Sequence, residues 1–462
     1  MSVKNKVISV TSERIVFPGR ALCRCSDGVA VFVDGLLPGE RAEVFVVKDK
    51  KTFREGLLKD ITLKSSERID SLCPAFGSCG GCSFQNAAYE DQIKYKQKYV
   101  AELLSFIDIK VSDMLIGSQI WHYRNKMEFS FFDVSPCKFE KSGKSKVVVY
   151  LGLHRKKSFK KYVSVSNCFI ADKDFLRVID VVKRFANESD LLAYDNKRQS
   201  GFFRHLVLRK AQNNNQLLIN IVTNDIGLTP VFWAPMIKEL DTLAHSVYWT
   251  LNNKKSDTIL SDKLILMHGK PFITEKLYVG GKDYFFNISP FSFFQTNSKG
   301  TEILYNEILR LLSPSKNDVL LDLYCGIGTI GILLAQSVKK VIGVEQVEQA
   351  VGNAKENASI NNICNIDFYA STSEDWTKRN KNCFDIIIVD PPRSGLTKNV
   401  VDFLLESKAK KIVYVSCDPA TLARDLQVIV EKKYSVKEIT PIDMFPQTYH
   451  VEVIVLLELV EK

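Results

Sequence analysis

No segment of the 462-residue chain reaches 18 uncharged apolar residues in a row, roughly the minimum for a bilayer-spanning helix, so a membrane-spanning helix is excluded. The opening MSVKNKVISVTSERIVFPGR carries neither a continuous apolar core nor a small-residue cleavage site, so the expected location is the cytoplasm, with no membrane partner. Internal repeats and long low-complexity tracts are also missing, which leaves discrete globular domains as the expected organisation.

What is present is ordinary in amount: 45% hydrophobic and 25% charged residues, a mix that excludes collagenous and disordered chains. At roughly 150 residues per domain the length implies about three domains. Lys plus Arg number 63 against 53 Asp plus Glu, a net charge of +10, which favours a polyanionic partner. No obligate protein partner is evident. In a reducing compartment the 11 cysteines read as buried, catalytic or metal-binding thiols and not as disulfides.

Residues 7 to 62 hold short β-rich runs broken by Pro-Gly and Asp-Gly turns, the pattern of a small antiparallel, OB-like barrel. Lys48, Lys50, Lys51 and Arg54 would suit a phosphate backbone there, or guard a solvated hairpin edge. The expected domains are therefore a β-barrel at 1–62, a central mixed α+β domain at 63–280, and an α/β Rossmann-like domain at 281–462. In the last of these, strand and helix signals alternate from VLLDL to VEVIVLLEL, which predicts a parallel, doubly wound sheet with ligands beyond the strands' carboxyl ends.

The first of those strands ends in DLYCGIGTIG, whose Gly326, Gly328 and Gly331 suit a dinucleotide or S-adenosylmethionine (SAM) at a helix N-terminus. Glu345 ends the second strand, where a carboxylate can take both ribose hydroxyls. Asp322, just before the loop, tilts the choice to SAM, since a carboxylate repels pyrophosphate. Asp390-Pro391-Pro392-Arg393 is a rigid turn at the mouth of a later strand. KIVYVS then delivers Cys417 beside a helix N-terminus, which favours a thiolate. A thiolate with SAM implies methylation at uracil C5: the thiolate adds at C6, the ring becomes an enolate, and its C5 attacks the methyl group. A base must then remove the C5 proton; Glu452, Asp443 and His450 are the candidates.

These residues resemble the SAM-dependent RNA uracil-5-methyltransferases, specifically the 23S ribosomal RNA branch. The matching motifs span almost the whole chain: DGVAVFVDGLLPGE is similar to a TRAM domain, CPAFGSCGGCSFQ to a cysteine loop, and SPFSFFQTN, DLYCGIGT, DPPRSGL, VSCDPATLARDL and HVEVIVLL to the catalytic domain. The resemblance implies that Gln295, Tyr324, Gly326, Glu345 and Asp390 contact SAM or line its pocket, that Cys417 is the nucleophile and that Glu452 is the base. It also puts Arg124 in an RNA-holding segment. Thr329 departs from the family, which often has Asn there.

Cys73, Cys79 and Cys82 form C-x5-C-x2-C, a set that with a fourth thiolate suits zinc or an iron-sulfur cluster. The resemblance supplies Cys168 as the fourth ligand and implies a [4Fe-4S] cluster, structural or RNA-orienting and not redox-catalytic. Cys23, Cys25, Cys137, Cys364 and Cys383 read as ordinary thiols. The expected function is thus methylation of uridine C5, with 23S ribosomal RNA as partner. A transfer RNA substrate, a non-catalytic RNA-binding protein and a NAD-dependent oxidoreductase are the alternatives.

Overall fold

The computed structural model describes residues 2–134, 147–158, 160–165, 167–255, 259, 262–380 and 383–460; Cys137 lies outside them. The chain forms two compact units, each assembled from separated stretches. One comprises 1–118, 391–405 and 411–462, the other 119–390 and 406–410. They cut across the three expected segments.

The first unit opens with a closed five-stranded barrel, Val7–Val16, Arg20–Arg24, Ala30–Asp34, Arg41–Asp49 and Phe53–Leu63. Alternate residues point inward, so Val10, Ala21, Val31, Val33, Ala42 and Val44 form a core that is 1% exposed or less. Gly56 is required there, because a Cβ would sit 2.0 Å from Val44 Cγ1. The expected antiparallel barrel is modified at one seam: the third and fifth strands pair in parallel. The basic run is also partly committed. Arg54 is buried against Asp27 and Asp49 at 2.7 and 3.0 Å, and Lys48 pairs with Glu55 at 2.9 Å, which leaves Lys50 and Lys51 exposed.

After the barrel come the helix Tyr89–Leu103 and, much later in the chain, the strands Lys411–Ser416, Tyr434–Asp443 and Glu452–Leu459 with the helices Lys398–Glu406 and Pro419–Lys432. Glu452–Leu459 runs antiparallel both to Lys411–Ser416 and to Tyr434–Asp443. This corrects the expectation of a wholly parallel sheet. The chain returns through a hairpin, and the strand YSVKEITPID escapes a reading based on apolar runs because Lys437, Glu438 and Thr440 interrupt it.

The second unit carries a mixed seven-stranded sheet built around the fully buried strand Phe203–Ala211, with the helix Lys173–Glu188 beside it. It continues into the hairpin Ile273–Val279/Lys282–Ile288, the helix Ser298–Leu312, and four parallel strands. Their order is Ile366–Ala370, Lys340–Glu345, Val319–Leu323, Ile386–Val389. Here the alternating pattern and the fold agree. Among the described residues no helix is long and apolar enough to cross a membrane.

Candidate active site

In the second unit, Val319–Leu323 ends in a loop that holds three residues in left-handed conformations: Tyr324 (φ 65°), Gly326 (φ 56°) and Gly328 (φ 80°). A non-glycine residue there costs roughly 1–3 kcal/mol and persists only where its surroundings impose it. Gly328 heads the helix Thr329–Ala335, and a Cβ on it would lie 2.7 Å from Phe368 Cζ. A Cβ on Gly326 would meet nothing within 4 Å, so the loop presents open backbone to a ligand. Glu345 reaches this loop directly: its Oε2 accepts the Gly326 amide at 3.1 Å and its Oε1 the Val347 amide at 2.9 Å.

Asp322 serves the loop from within. It is 1% exposed, and its Oδ2 accepts the Gly331 amide at 3.0 Å, which caps the helix from the neighbouring strand. Its Oδ1 is buried with no hydrogen-bond partner among the described residues. Burial, together with the charges of Asp390 and Glu345, pushes its pKa up to about 8, and burial lifts Asp390 to about 7. Asp390 and Glu345 are therefore electrostatic neighbours of Asp322, carboxyl groups whose ionised forms a cationic ligand would favour.

Three asparagines that sequence reasoning missed tie the next helix, Glu348–Ile360, to this region. Asn353 Nδ2 donates to Ser292 Oγ at 2.8 Å; Asn357 accepts the Asn287 amide at 2.8 Å and donates to Ile327 O of the glycine loop at 3.3 Å; Asn361 accepts the Phe285 amide at 2.9 Å. Asn costs about 0.6 kcal/mol relative to Ala inside a helix, while each hydrogen bond returns about 1 kcal/mol, so the bonds win. The signal was the spacing of four in VGNAKENASIN, which puts one polar residue per turn on a single face. Gln295 is buried, and its carbonyl accepts from Asn125 Nδ2 at 3.2 Å, which anchors the segment that carries it.

In the first unit, Lys411–Ser416 ends immediately before Cys417. Asp418 then caps the helix Pro419–Lys432, its Oδ1 accepting the Ala420 and Thr421 amides at 3.0 and 3.2 Å. Cys417 is a partly exposed thiol outside any disulfide, at the positive end of a 14-residue helix. The same helix fastens the turn that begins with Arg393. Asp425 Oδ2 accepts the Leu396 amide and the Tyr414 hydroxyl, both at 2.8 Å, and Arg424 donates to Ser394 O at 3.0 Å. Gly395 (φ 75°) is fixed by that packing, since its Cβ would lie 2.5 Å from Arg424 Nη2.

The antiparallel hairpin decides where Glu452 stands. Val415 pairs with Ile454 and Ser416 with Val453, so the strand that leads into Cys417 ends beside the start of the strand that Glu452 opens. Glu452 is 3% exposed. Of its two rivals, Asp443 is occupied: its Oδ1 takes the buried Lys96 ammonium at 2.7 Å and its Oδ2 the Tyr89 hydroxyl at 2.9 Å. His450 lies against Tyr449, with ring centroids 4.1 Å apart, and its Nε2 is 3.5 Å from Arg393 Nη2.

The family model for tRNA (uracil-5-)-methyltransferases matches residues 257–460. An RNA methyltransferase of Caldanaerobacter subterraneus is 39% identical, over 98% of this chain and 99% of its own. The chain belongs to the RNA uracil-5-methyltransferase family. A Clostridium tetani RNA methyltransferase is 36% identical over 98% of this methyltransferase and 97% of its own length. The crystal structure of Pyrococcus abyssi tRNA (uracil-54, C5)-methyltransferase in complex with S-adenosyl-L-homocysteine is similar over 97% of this chain and 100% of that one, with a TM-score of 0.74 and 28% identity.

The cysteine loop of this methyltransferase is less decided. Cys79 Sγ accepts the Gly81 amide at 3.4 Å, Cys73 N donates to Gln85 Oε1 at 3.1 Å, and burial pushes the Cys79 thiol up. Among the described residues, no three His, Cys, Asp or Glu side chains are gathered closely enough to hold a metal ion. Cys73, Cys79 and Cys82 lie in the first unit and Cys168 in the second. Local turns shape the loop: Cys79 N donates to Ala75 O at 2.8 Å and Phe76 N to Cys73 O at 3.0 Å.

The Lys96–Asp443 pair has a measurable weight. Its side chains are 2% and 0% exposed, and removing one partner of such a pair strands a buried charge at about 3–5 kcal/mol. Asp443→Asn is expected to lower unfolding free energy in urea by that amount, whereas breaking an exposed pair such as Lys340–Asp367 should leave it almost unchanged.

Proposed function

We propose that this protein methylates C5 of a uridine in RNA, with Cys417 as nucleophile and Glu452 as base. The observation that supports this reading is the antiparallel register of Ser416 with Val453, in which one strand ends just before Cys417 and its neighbour begins at Glu452. Cys417 Sγ, as thiolate, bonds to C6 of the ring and turns it into an enolate nucleophilic at C5. Bound SAM supplies the electrophilic methyl group. Glu452 then takes the proton from C5, the C5–C6 double bond reforms, and the thiolate leaves. The glycine loop would hold the cofactor, with Glu345 toward the ribose hydroxyls and Tyr324, Gln295 and Asp390 along its pocket. The target base must leave its stack to reach a thiol at a strand end.

Ribosomal RNA is the substrate favoured by the motif resemblance. The Pyrococcus abyssi structure favours the second reading, transfer RNA, because a tRNA enzyme aligns with nearly all of this chain, so the barrel and cysteine segments do not separate the two. Tritium release from RNA carrying [5-3H]uridine tests both. Release that requires SAM and occurs with 23S transcripts supports the ribosomal reading, release from tRNA alone reassigns the substrate, and release from neither removes the activity.

The raised carboxylates give the cofactor site a pH dependence. Asp390, near 7, is mostly protonated at pH 6 and ionised at pH 8. The cationic sulfonium favours the ionised form, so SAM should bind about tenfold more tightly at pH 8 than at pH 6, whereas the homocysteine product, with a neutral sulfur, should change much less. Isothermal titration with both ligands at the two pH values checks this. A [4Fe-4S] cluster on the cysteine loop is tested separately: anaerobically purified protein should contain iron and acid-labile sulfide in equal amounts, and metal-free protein would confine the loop to a packing role.

A further inference from the structure

Glu452 is reached through residues 444–451, the connection between two antiparallel strands. At its centre Gln447 is 2% exposed with φ 69°, a left-handed conformation that a residue with a side chain keeps only where its neighbours impose it. The neighbours are on the helix Tyr89–Leu103 and the segment before it. Gln92 Nε2 donates to Gln447 Oε1 at 3.0 Å, and Gln92 Oε1 accepts the Gln447 amide at 3.1 Å. The Gln447 carbonyl accepts the Ser83 and Phe84 amides at 2.9 and 3.1 Å, and these are the two residues that directly follow Cys82. The backbone amide, the carbonyl and the side-chain oxygen of one residue are thus satisfied from elements more than 350 positions away in sequence.

Buried amides bonded in this reciprocal way fix a backbone more tightly than apolar packing does, because each alternative position strands a polar group. We propose that Gln92 and Gln447 form a positioning clamp that sets Glu452 for removal of the C5 proton. The clamp rests on the reading of Glu452 as the base. It does not touch the thiolate, so C6 addition and methyl transfer go forward while release of the methylated product slows. The loop of Cys73, Cys79 and Cys82 acts on the same step through Ser83 and Phe84.

The test compares Gln92→Leu, Gln447→Gly and Glu452→Gln in the full chain. Gln447→Gly removes the bond from Gln92 Nε2 to Gln447 Oε1, keeps the backbone amide that donates to Gln92 Oε1 and the carbonyl that accepts Ser83 and Phe84, and tolerates the left-handed φ, so it remains informative if Gln92→Leu fails to fold. Both clamp variants are expected to lose at least about tenfold in kcat, with KM for RNA and SAM affinity unchanged, and to accumulate an SDS-stable RNA adduct that carries the methyl group. A loss of stability alone would not produce that adduct. Wild-type turnover in Gln447→Gly, or slow turnover without adduct while Glu452→Gln does trap one, overturns the clamp alone. Full tritium release by Glu452→Gln overturns the base reading and the clamp together.

Discussion

Cys417→Ala is expected to abolish tritium release from [5-3H]uridine RNA, by on the order of 10⁴-fold or more, while SAM affinity stays within a factor of two. Without the thiolate, C5 stays a poor nucleophile, and no nearby group replaces it: Ser416 exchanges hydrogen bonds with Asp418 at 3.0 and 3.1 Å and caps the strand end. Cys417→Ser is expected to behave like the alanine variant, since a hydroxyl is far less ionised at neutral pH than a thiol beside a helix N-terminus. Residual methylation above about one per cent of wild type in either variant contradicts covalent catalysis by this residue.

Glu452→Gln is expected to do something different. Addition and methyl transfer should proceed, and the enzyme should then stall as a methylated covalent complex. One equivalent of methyl group is transferred per enzyme, while steady-state turnover falls about 10²- to 10⁴-fold. A denaturing gel with labelled RNA and labelled SAM reads both quantities. A fall in turnover with neither label retained on the protein would place Glu452 before the addition step. The substitution is isosteric, so its cost to folding should be small.

The two residues were legible in the sequence for unequal reasons. Cys417 follows an apolar strand and precedes Asp-Pro, so its place at a strand end beside a helix could be read directly. Glu452 could not be placed by the same logic. In a wholly parallel sheet the first residue of the last strand lies at the edge opposite the ligand-binding ends, and an apolar run beginning with Glu452 gives no direction. The hairpin that turns it around depends on Tyr434–Asp443, a strand whose polar residues hide it. The glycine loop was visible, but the task of Asp322 was not: it appeared available to a ligand and is spent on the Gly331 amide. The asparagine spacing marked a polar face without naming its partners, and Gln447 was invisible, for a related reason. Their bonds connect elements distant in sequence, and no local pattern encodes a partner. The barrel's Arg54 read as a phosphate contact because Asp27 and Asp49, its partners, lie 27 and 5 positions away.

The clamp and the Lys96–Asp443 pair join residues separated by 355 and 347 positions, and this has a bearing on how the protein comes into being. During synthesis the segment with Gln92 and Lys96 leaves the ribosome long before its partners are made, and contacts of such wide separation close slowly. For that interval Lys96 cannot be desolvated without an unpaired charge, so its helix must stay solvated or loosely docked. The first unit is therefore completed last, and a nascent chain that already holds a finished glycine loop can acquire its cofactor before it has a base.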